Sequence, residues 1–546
     1  MLSRLLALIG LAALLAAAAP AAADTYTVTL DPSARRTPAT GRVILFFITE
    51  TGVWWARRPP ARGPFFQPPQ PLASIAVEDF RPGQSVTLDG TALAFPQSLD
   101  ALDGPMRVQA ALDTDRTERS HLEGPGNVLS DIVSVELRAD RDDAVSLRLS
   151  EPIRPPRAVV RMSNLKWVEH RSALLSDFYG RRINHRAGVA LPKDYYDPEA
   201  LDRQWPVVFV IPGFGDREEG AVSYAEMLAN KGVEEVAPIA VYVVLDPESP
   251  LGHHGFVDSA NNGPRGTALV EEFIPYLEKK FRIVRRPEAR LVTGHSSGGF
   301  SALWLQLRYP ETFGGCWATA PDPIDFSAFQ TCNLYEDENL YTDAEGNVRP
   351  CLREMVSAAG EMEVTLTVRQ ECTIEYVLDP DGASGQQWDA WEAMFSPRDP
   401  QTMLPRPMFD PRTGAIDRQV VNEWSAFDIT RMVAADWARY GPIVTHHVRL
   451  TCGDRDSYYL ERAVERFKRT VEELAESSGG SGGAGGARGS GGADGADGSG
   501  GSGTSGGGPG YVRLVPYATH ATLVPLIFQR QNEEIREHLR RHGLHD

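Results

Sequence analysis

The chain has 546 residues, roughly three to four times a typical domain, so more than one folded unit is expected. Its 42% hydrophobic and 23% charged residues are those of a globular protein and exclude a fibrous or wholly disordered chain. The 55 Lys and Arg against 73 Asp and Glu leave a formal charge of −18, a repulsive field for phosphate backbones that sets nucleic-acid binding aside.

Residues 1–23 have the layout of an export signal. Arg4 supplies a positive start, Leu5 to Ala19 is apolar throughout apart from one glycine, and Pro20 precedes the small residues Ala21-Ala22-Ala23. Cleavage after Ala23 is expected, leaving Asp24 as the first mature residue with no membrane anchor, in a periplasmic or secreted protein. Cys316, Cys332, Cys351, Cys372 and Cys452 are then in an oxidising compartment. A Cys332–Cys351 bridge is preferred, because both lie in one polar, loop-rich stretch. Their spacing matches no metal pattern, and neither metal nor cofactor is expected.

From residue 24 to about 156, short runs alternate between apolar and polar residues, as in Thr25–Leu30, Met106–Leu112, Val133–Leu137 and Val145–Leu149. Period-two alternation broken by Pro and Gly reads as a small all-β, antiparallel sandwich, with Pro152 to Pro156 leading out of it. The pattern then changes. Val207–Ile211 and Ile239–Leu245 are continuous apolar runs of strand length, as expected for strands covered on both faces. A helical period covers Ala268 to Phe281, a short strand is expected at Leu291–Thr293, a helix from Gly298 to Arg308, and a strand at Cys316–Ala320. This alternation implies an α/β fold with a mostly parallel sheet over residues 157–546.

The alternation stops over residues 321–447, which carry Trp388, Trp391, Phe395, Trp424, Phe427 and Trp437. A strand follows at Val448–Cys452, then a helix at Leu460–Leu474. The intervening stretch is expected to be a lid inserted at the sheet's C-terminal edge, its aromatics forming the lid's own core. Residues 478–510 are Gly-rich and expected to form a disordered loop, since they bury too little apolar surface to offset chain entropy. The calcium-binding glycine/aspartate repeats that Gly491–Asp497 imitates need a large apolar residue in each turn, and none is present. The last strand is expected at Val512–Val515.

Gly294-His295-Ser296-Ser297-Gly298 stands between an apolar strand and an apolar helix, the context a nucleophile elbow requires. The turn lifts the Ser296 hydroxyl above the sheet edge, and the helix start brings free N–H groups and a positive partial charge to a developing oxyanion. A serine hydroxyl needs a base, and the base needs an acid to orient it. His446 and His447 lie at the wrong end of the Val448 strand, and His538, His542 and His545 on or after a charged C-terminal helix. His520, just after the last strand, is the base candidate. Asp456 is the preferred acid, beyond the turn glycine of Thr451-Cys452-Gly453-Asp454-Arg455-Asp456; Asp454 competes with it, or serves as a turn residue. The backbone N–H groups of Phe214, in the Pro212–Gly215 loop, and of Ser297 are assigned to the oxyanion hole.

With these residues in place, the chain from about Arg171 onward resembles the Putative esterase family of α/β-hydrolases, which includes enterochelin esterases, feruloyl and acetyl-xylan esterases and S-formylglutathione hydrolase. The resemblance rests on Val270–Glu278, Gly294–Gly299 and Tyr309–Phe313, with Ser259–Pro264 similar to a loop near the family's substrate. It implies an α/β-hydrolase fold with Ser296, Asp456 and His520 as nucleophile, acid and base. The chain departs from the pattern at Pro212, where many members have histidine, and in its larger insertion, so substrate preference does not carry over. The expected reaction is hydrolysis of a small-molecule or glycan-linked ester. The same triad would serve an acyltransferase or a peptidase, while a non-catalytic glycan-binding module would need none of it.

Overall fold

The computed structural model describes residues 24–49, 54–65, 67–138, 142–154, 160–230, 232–479 and 510–544. The expected export segment, the end of the linker at 155–156 and residues 480–509 of the Gly-rich tract lie outside the described residues. Among the described residues no helix is long and apolar enough to cross a membrane.

Nine strands between Thr25 and Pro152 form one continuous sheet rather than two separate ones. The sheet curls around a core that includes Val28, Leu45, Val77, Val108 and Leu147, so that strands from both ends of the strand order share one interior. Each expected run is a strand, but the pairing is not wholly antiparallel. Thr25–Leu30 lies parallel to Ala144–Pro152, which brings the first and last strands of the unit side by side. The outer face is not left to water. Ile44, Phe46, Leu72 and Phe95 pack against Ile374, Val377 and Leu378 of the helix Val368–Leu378, far along the chain.

The second sheet has eight strands in the order Leu165–Ser172, Ile183–Ala190, Val241–Leu245, Val207–Ile211, Arg290–His295, Gly315–Thr319, Val448–Gly453 and Tyr511–Val515. Only Ile183–Ala190 runs against the others. Val207–Ile211 and Val241–Leu245 are buried along their whole length, which is why no polar alternation marks them. The chain leaves Val207–Ile211 to one side and returns to its other side at Arg290–His295. The crevice between their C-terminal ends is therefore a topological switch point, where open α/β sheets place their ligands. The helix expected over 268–281 is present but irregular: Arg265–Ala268 is α, Leu269–Phe273 is a π turn, and Ile274–Lys280 is α again. Pro275 has no N–H for the preceding turn, and its ring crowds the carbonyl four residues back, so the helix widens there.

Residues 321–447 stand between the strands Gly315–Thr319 and Val448–Gly453. They hold a hairpin (Pro350–Met355 with Met362–Thr367) and the helices Val368–Leu378, Gln387–Phe395, Arg418–Trp424, Ile429–Ala435 and Trp437–His447. Trp388, Trp391, Phe395 and Trp424 are buried and meet Phe326 and Phe329, mostly edge to face. Instead of a separate lid core they form one core with the sheet domain, Phe395 meeting Phe300 of the elbow helix at 5.6 Å.

The Cys332–Cys351 bridge is a correction, since all five cysteines are unbridged and buried. Each thiol is packed as a small apolar residue in the common core. The Cys351 thiol shares a hydrogen bond with Glu371, and that of Cys332 with Asp337. The helix after Val448–Gly453 runs from Glu461 to Gly479, past the expected end at Leu474.

Candidate active site

The elbow forms because its glycines leave no room for side chains. A Cβ on Gly294 would stand 2.1 Å from the Gly298 carbonyl oxygen, and one on Gly298 would stand 2.0 Å from the Ile211 oxygen. Between them Ser296 has φ of 59°, a conformation L residues rarely adopt, held by a hydrogen bond from its N–H to the Thr319 carbonyl at 3.0 Å. The helix Ser297–Arg308 starts immediately after it. Ser297 is in the first turn, where backbone N–H groups have no intrahelical acceptor.

His520 is the first residue of the helix His520–Arg541, whose start is fixed by a reciprocal capping arrangement between Thr519 and Thr522. Its Nδ1–H donates to Asp456 Oδ2 at 2.8 Å. Asp456 is fully buried, and its other carboxylate oxygen accepts the Tyr458 N–H at 2.9 Å. The imidazole is wedged between the rings of His295 and Tyr458, with centroids 4.3 and 4.9 Å away. Ser296 and His520 line the same cavity of about 390 Å³. Asp454 is occupied elsewhere, accepting the Tyr517 N–H at 2.7 Å. Three other candidate histidines are tied to backbone carbonyls away from this point, His446 to Pro442, His447 to Gly314 and His538 to Glu288, and His542 lies beside the His538 ring at 4.7 Å.

Burial pushes His295 down to about 4, and the neighbouring His520 adds to the effect. His295 is therefore neutral near pH 7 and places no charge beside an imidazolium at 520. Its Nε2–H donates to the His520 carbonyl at 3.2 Å.

The Pro212–Gly215 loop crosses directly over the elbow. A Cβ on Gly213 would lie 3.2 Å from the His295 carbonyl oxygen and 3.3 Å from the Ser296 Cβ, so a side chain here would have to push the elbow back by a few tenths of an ångström. Phe214 lines the cavity next to it. The loop is held from below by His253, whose Nε2–H donates to the Pro212 carbonyl at 3.1 Å while its Nδ1 accepts the Gly255 N–H. Burial holds His253 at about 4, so it is neutral and this pair of partners fixes its tautomer.

Four features of the site were not foreseen in the sequence. Asp322, buried just past the strand Gly315–Thr319, accepts from Ser297 Oγ at 2.7 Å and Trp391 Nε1 at 2.8 Å, tying the elbow to the insertion. Burial raises its carboxyl above the ordinary value, while these two donors oppose the rise. Gln330 lines the cavity, and its buried side-chain oxygen has no hydrogen-bond partner among the described residues. Phe65 and Gln67, from the first sheet unit, form part of the wall. Arg119, also from that unit, lies over the Phe214 ring at 4.7 Å. Asp322 follows an apolar strand as a single polar residue, a weak signal that was available; Arg119, Phe65 and Gln67 carry none, because their partners are distant in sequence.

The family model described as "Putative esterase" matches residues 180–402, a span that includes Phe214, Ser296 and Ser297 but neither Asp456 nor His520. An uncharacterized protein of Bacillus subtilis (strain 168), YbbA, is 25% identical over 142 residues, 24% of this chain and 54% of that protein. An esterase of Mycobacterium tuberculosis (strain H37Rv) is 27% identical over 143 residues, 25% of this chain and 28% of that protein. The match thus spans about half or less of these relatives' length. Among solved structures, an S-formylglutathione hydrolase from Agrobacterium tumefaciens aligns with a TM-score of 0.35 and 14% identity, over 70% of this chain and 98% of that one.

Proposed function

Residues 180–402 belong to the Putative esterase family, and from that premise we propose that the chain is an exported serine carboxylic-ester hydrolase working through an acyl-enzyme. The observation that carries this reading is the 2.8 Å hydrogen bond from His520 to the buried Asp456, at the cavity that Ser296 enters from a strained elbow. His520 Nε2 takes the proton from the Ser296 hydroxyl as its oxygen attacks the ester carbonyl. Asp456 keeps the proton on Nδ1, so that Nε2 is free to accept, and stabilises the imidazolium that forms. The N–H groups of Phe214 and Ser297 stabilise the tetrahedral oxyanion. The imidazolium then protonates the leaving alcohol, and water deacylates Ser296 by the same route in reverse.

The cavity wall combines glutamine side chains and the acidic Asp216, Asp322 and Glu371 with Phe65, Phe214, Trp391 and Tyr458, which suits an ester of moderate size that carries no negative charge. The test is hydrolysis of a short-chain aryl ester, with fluorophosphonate labelling, by the wild type and by Ser296→Ala, His520→Ala and Asp456→Asn. Ser296→Ala should abolish both labelling and measurable turnover. Equal rates in all four proteins, or labelling that survives in Ser296→Ala, would end this reading.

A further inference from the structure

Between the strands Gly104–Asp113 and Val128–Ser130, the first sheet unit sends out a loop that ends against the Pro212–Gly215 turn. Its Arg119 makes two contacts there. The guanidinium lies over the Phe214 ring at 4.7 Å, and its Nε–H donates to Glu248 Oε2 at 2.8 Å. The other Glu248 oxygen accepts the Gly215 N–H at 3.4 Å, one residue past Phe214. Both ionic side chains are largely buried, 17% and 6% exposed, so water screens the pair little. A second link runs alongside: Arg217 donates to Glu118 at 3.0 Å and Glu123 at 3.2 Å in the same loop, and to Asp246 at 3.1 Å in the sheet domain.

We propose that the N-terminal sheet unit is a working part of the active site, with Arg119 as a positioning residue that fixes the Phe214 N–H where an oxyanion forms. This rests on the esterase reading of the same site. Pro212 and Gly213 open the turn, and glycine gives its backbone freedom that a productive oxyanion hole cannot tolerate. His253 pins the start of the turn at the Pro212 carbonyl, and Glu248 pins its end at the Gly215 N–H. Between them the Asp216 N–H closes the turn on the Gly213 carbonyl at 3.2 Å, and the Phe214 side chain is held under the Arg119 guanidinium. A donor displaced by a fraction of an ångström still binds ground-state ester but loses hold of the tetrahedral state, so the effect falls on turnover rather than on substrate affinity.

The test uses the full chain, comparing the wild type with Arg119→Ala, Arg119→Lys and Phe214→Leu; the last keeps the backbone donor but removes the ring beneath the guanidinium. For a short-chain aryl ester, Arg119→Ala should lower kcat by about 10- to 100-fold, with KM within about twofold of the wild type. Affinity for a trifluoromethyl ketone, which forms a tetrahedral adduct on the serine, should fall by a similar factor. Phe214→Leu should behave like Arg119→Ala, and adding Arg119→Ala to it should cost little more. Arg119→Lys, which keeps the charge on Glu248 but covers the ring poorly, should fall between. A wild-type kcat in Arg119→Ala, or a raised KM with unchanged kcat, overturns the proposal. Should Arg119→Ala fail to fold, Phe214→Leu decides by the same two measures. A wild type that neither hydrolyses the ester nor takes up a fluorophosphonate overturns the esterase reading itself, an outcome distinct from an active wild type indifferent to residue 119.

Discussion

Asp454 and Asp456 stand two positions apart on one turn and are put to different uses. The first spends its carboxylate on the Tyr517 N–H, which shapes the loop carrying His520. The second is fully buried against the imidazole. Asp456→Asn should therefore lower kcat by about 10⁴-fold, because an amide presents the wrong hydrogen-bonding pattern to Nδ1–H. Asp454→Asn keeps an acceptor for Tyr517 and should change kcat no more than about threefold on the scale of a retained neutral hydrogen bond. Comparable losses in both variants, measured on one aryl ester, would contradict this assignment. Gly298 admits no such latitude. An alanine there puts a methyl 2.0 Å from the Ile211 oxygen, so Gly298→Ala should yield little or no soluble protein, checked by expression and circular dichroism.

The helix Gln387–Phe395 is joined to the elbow through one buried carboxylate, since Trp391 and Ser297 both donate to Asp322. Trp391→Phe keeps most of the ring packing and removes the indole donor, leaving Asp322 Oδ2 with Ser297 Oγ at 2.7 Å and Gln387 Nε2 at 3.5 Å. It should cost about 1–3 kcal/mol of stability, read from the denaturant midpoint. An unchanged midpoint would mean that Asp322 recruits another donor. This link also marks the limit of what the sequence reveals. The strands Val207–Ile211, Val241–Leu245 and Gly315–Thr319 are legible because burial on both faces leaves an apolar run within five residues. The elbow is legible because strand, glycines, serine and helix follow one another within about twenty residues. Asp322 with Trp391, and Arg119 with Phe214, meet across many tens of residues, and no local pattern records such a meeting. The parallel pairing of Thr25–Leu30 with Ala144–Pro152 was missed for the same reason. The cysteine expectation failed differently: sequence spacing brought Cys332 and Cys351 near each other along the chain but held no information about where their thiols point.

Across the whole molecule, buried ionisable groups set how stability responds to pH. Burial raises Glu461 to about 7 and Glu218 to about 8, partly offset at Glu461 by its bond from Arg353 at 2.7 Å. The native state keeps protons on these carboxyls that the unfolded chain gives up above about pH 4.5, so their contribution is complete below that and lost as pH rises through 7 and 8. His185, His253, His295 and His538, held at about 4 by burial, act in the opposite sense and only below about pH 6.5, where the unfolded chain would charge them. Between pH 6.5 and 8.5 the carboxyls act first and are joined toward the top of the range by the buried thiols, which burial also pushes up, so the melting temperature should decline as pH rises. Glu461→Gln should make that decline shallower, and a flat or rising profile in the wild type would refute the account. A last consequence follows from the seam where Ile374, Val377 and Leu378 press on the outer face of the N-terminal sheet. A chain trimmed to begin after residue 152 would present those three side chains to solvent as a sticky stripe. Anyone dissecting this protein into portable parts should expect the shortened piece to clump, however complete its catalytic half looks on paper.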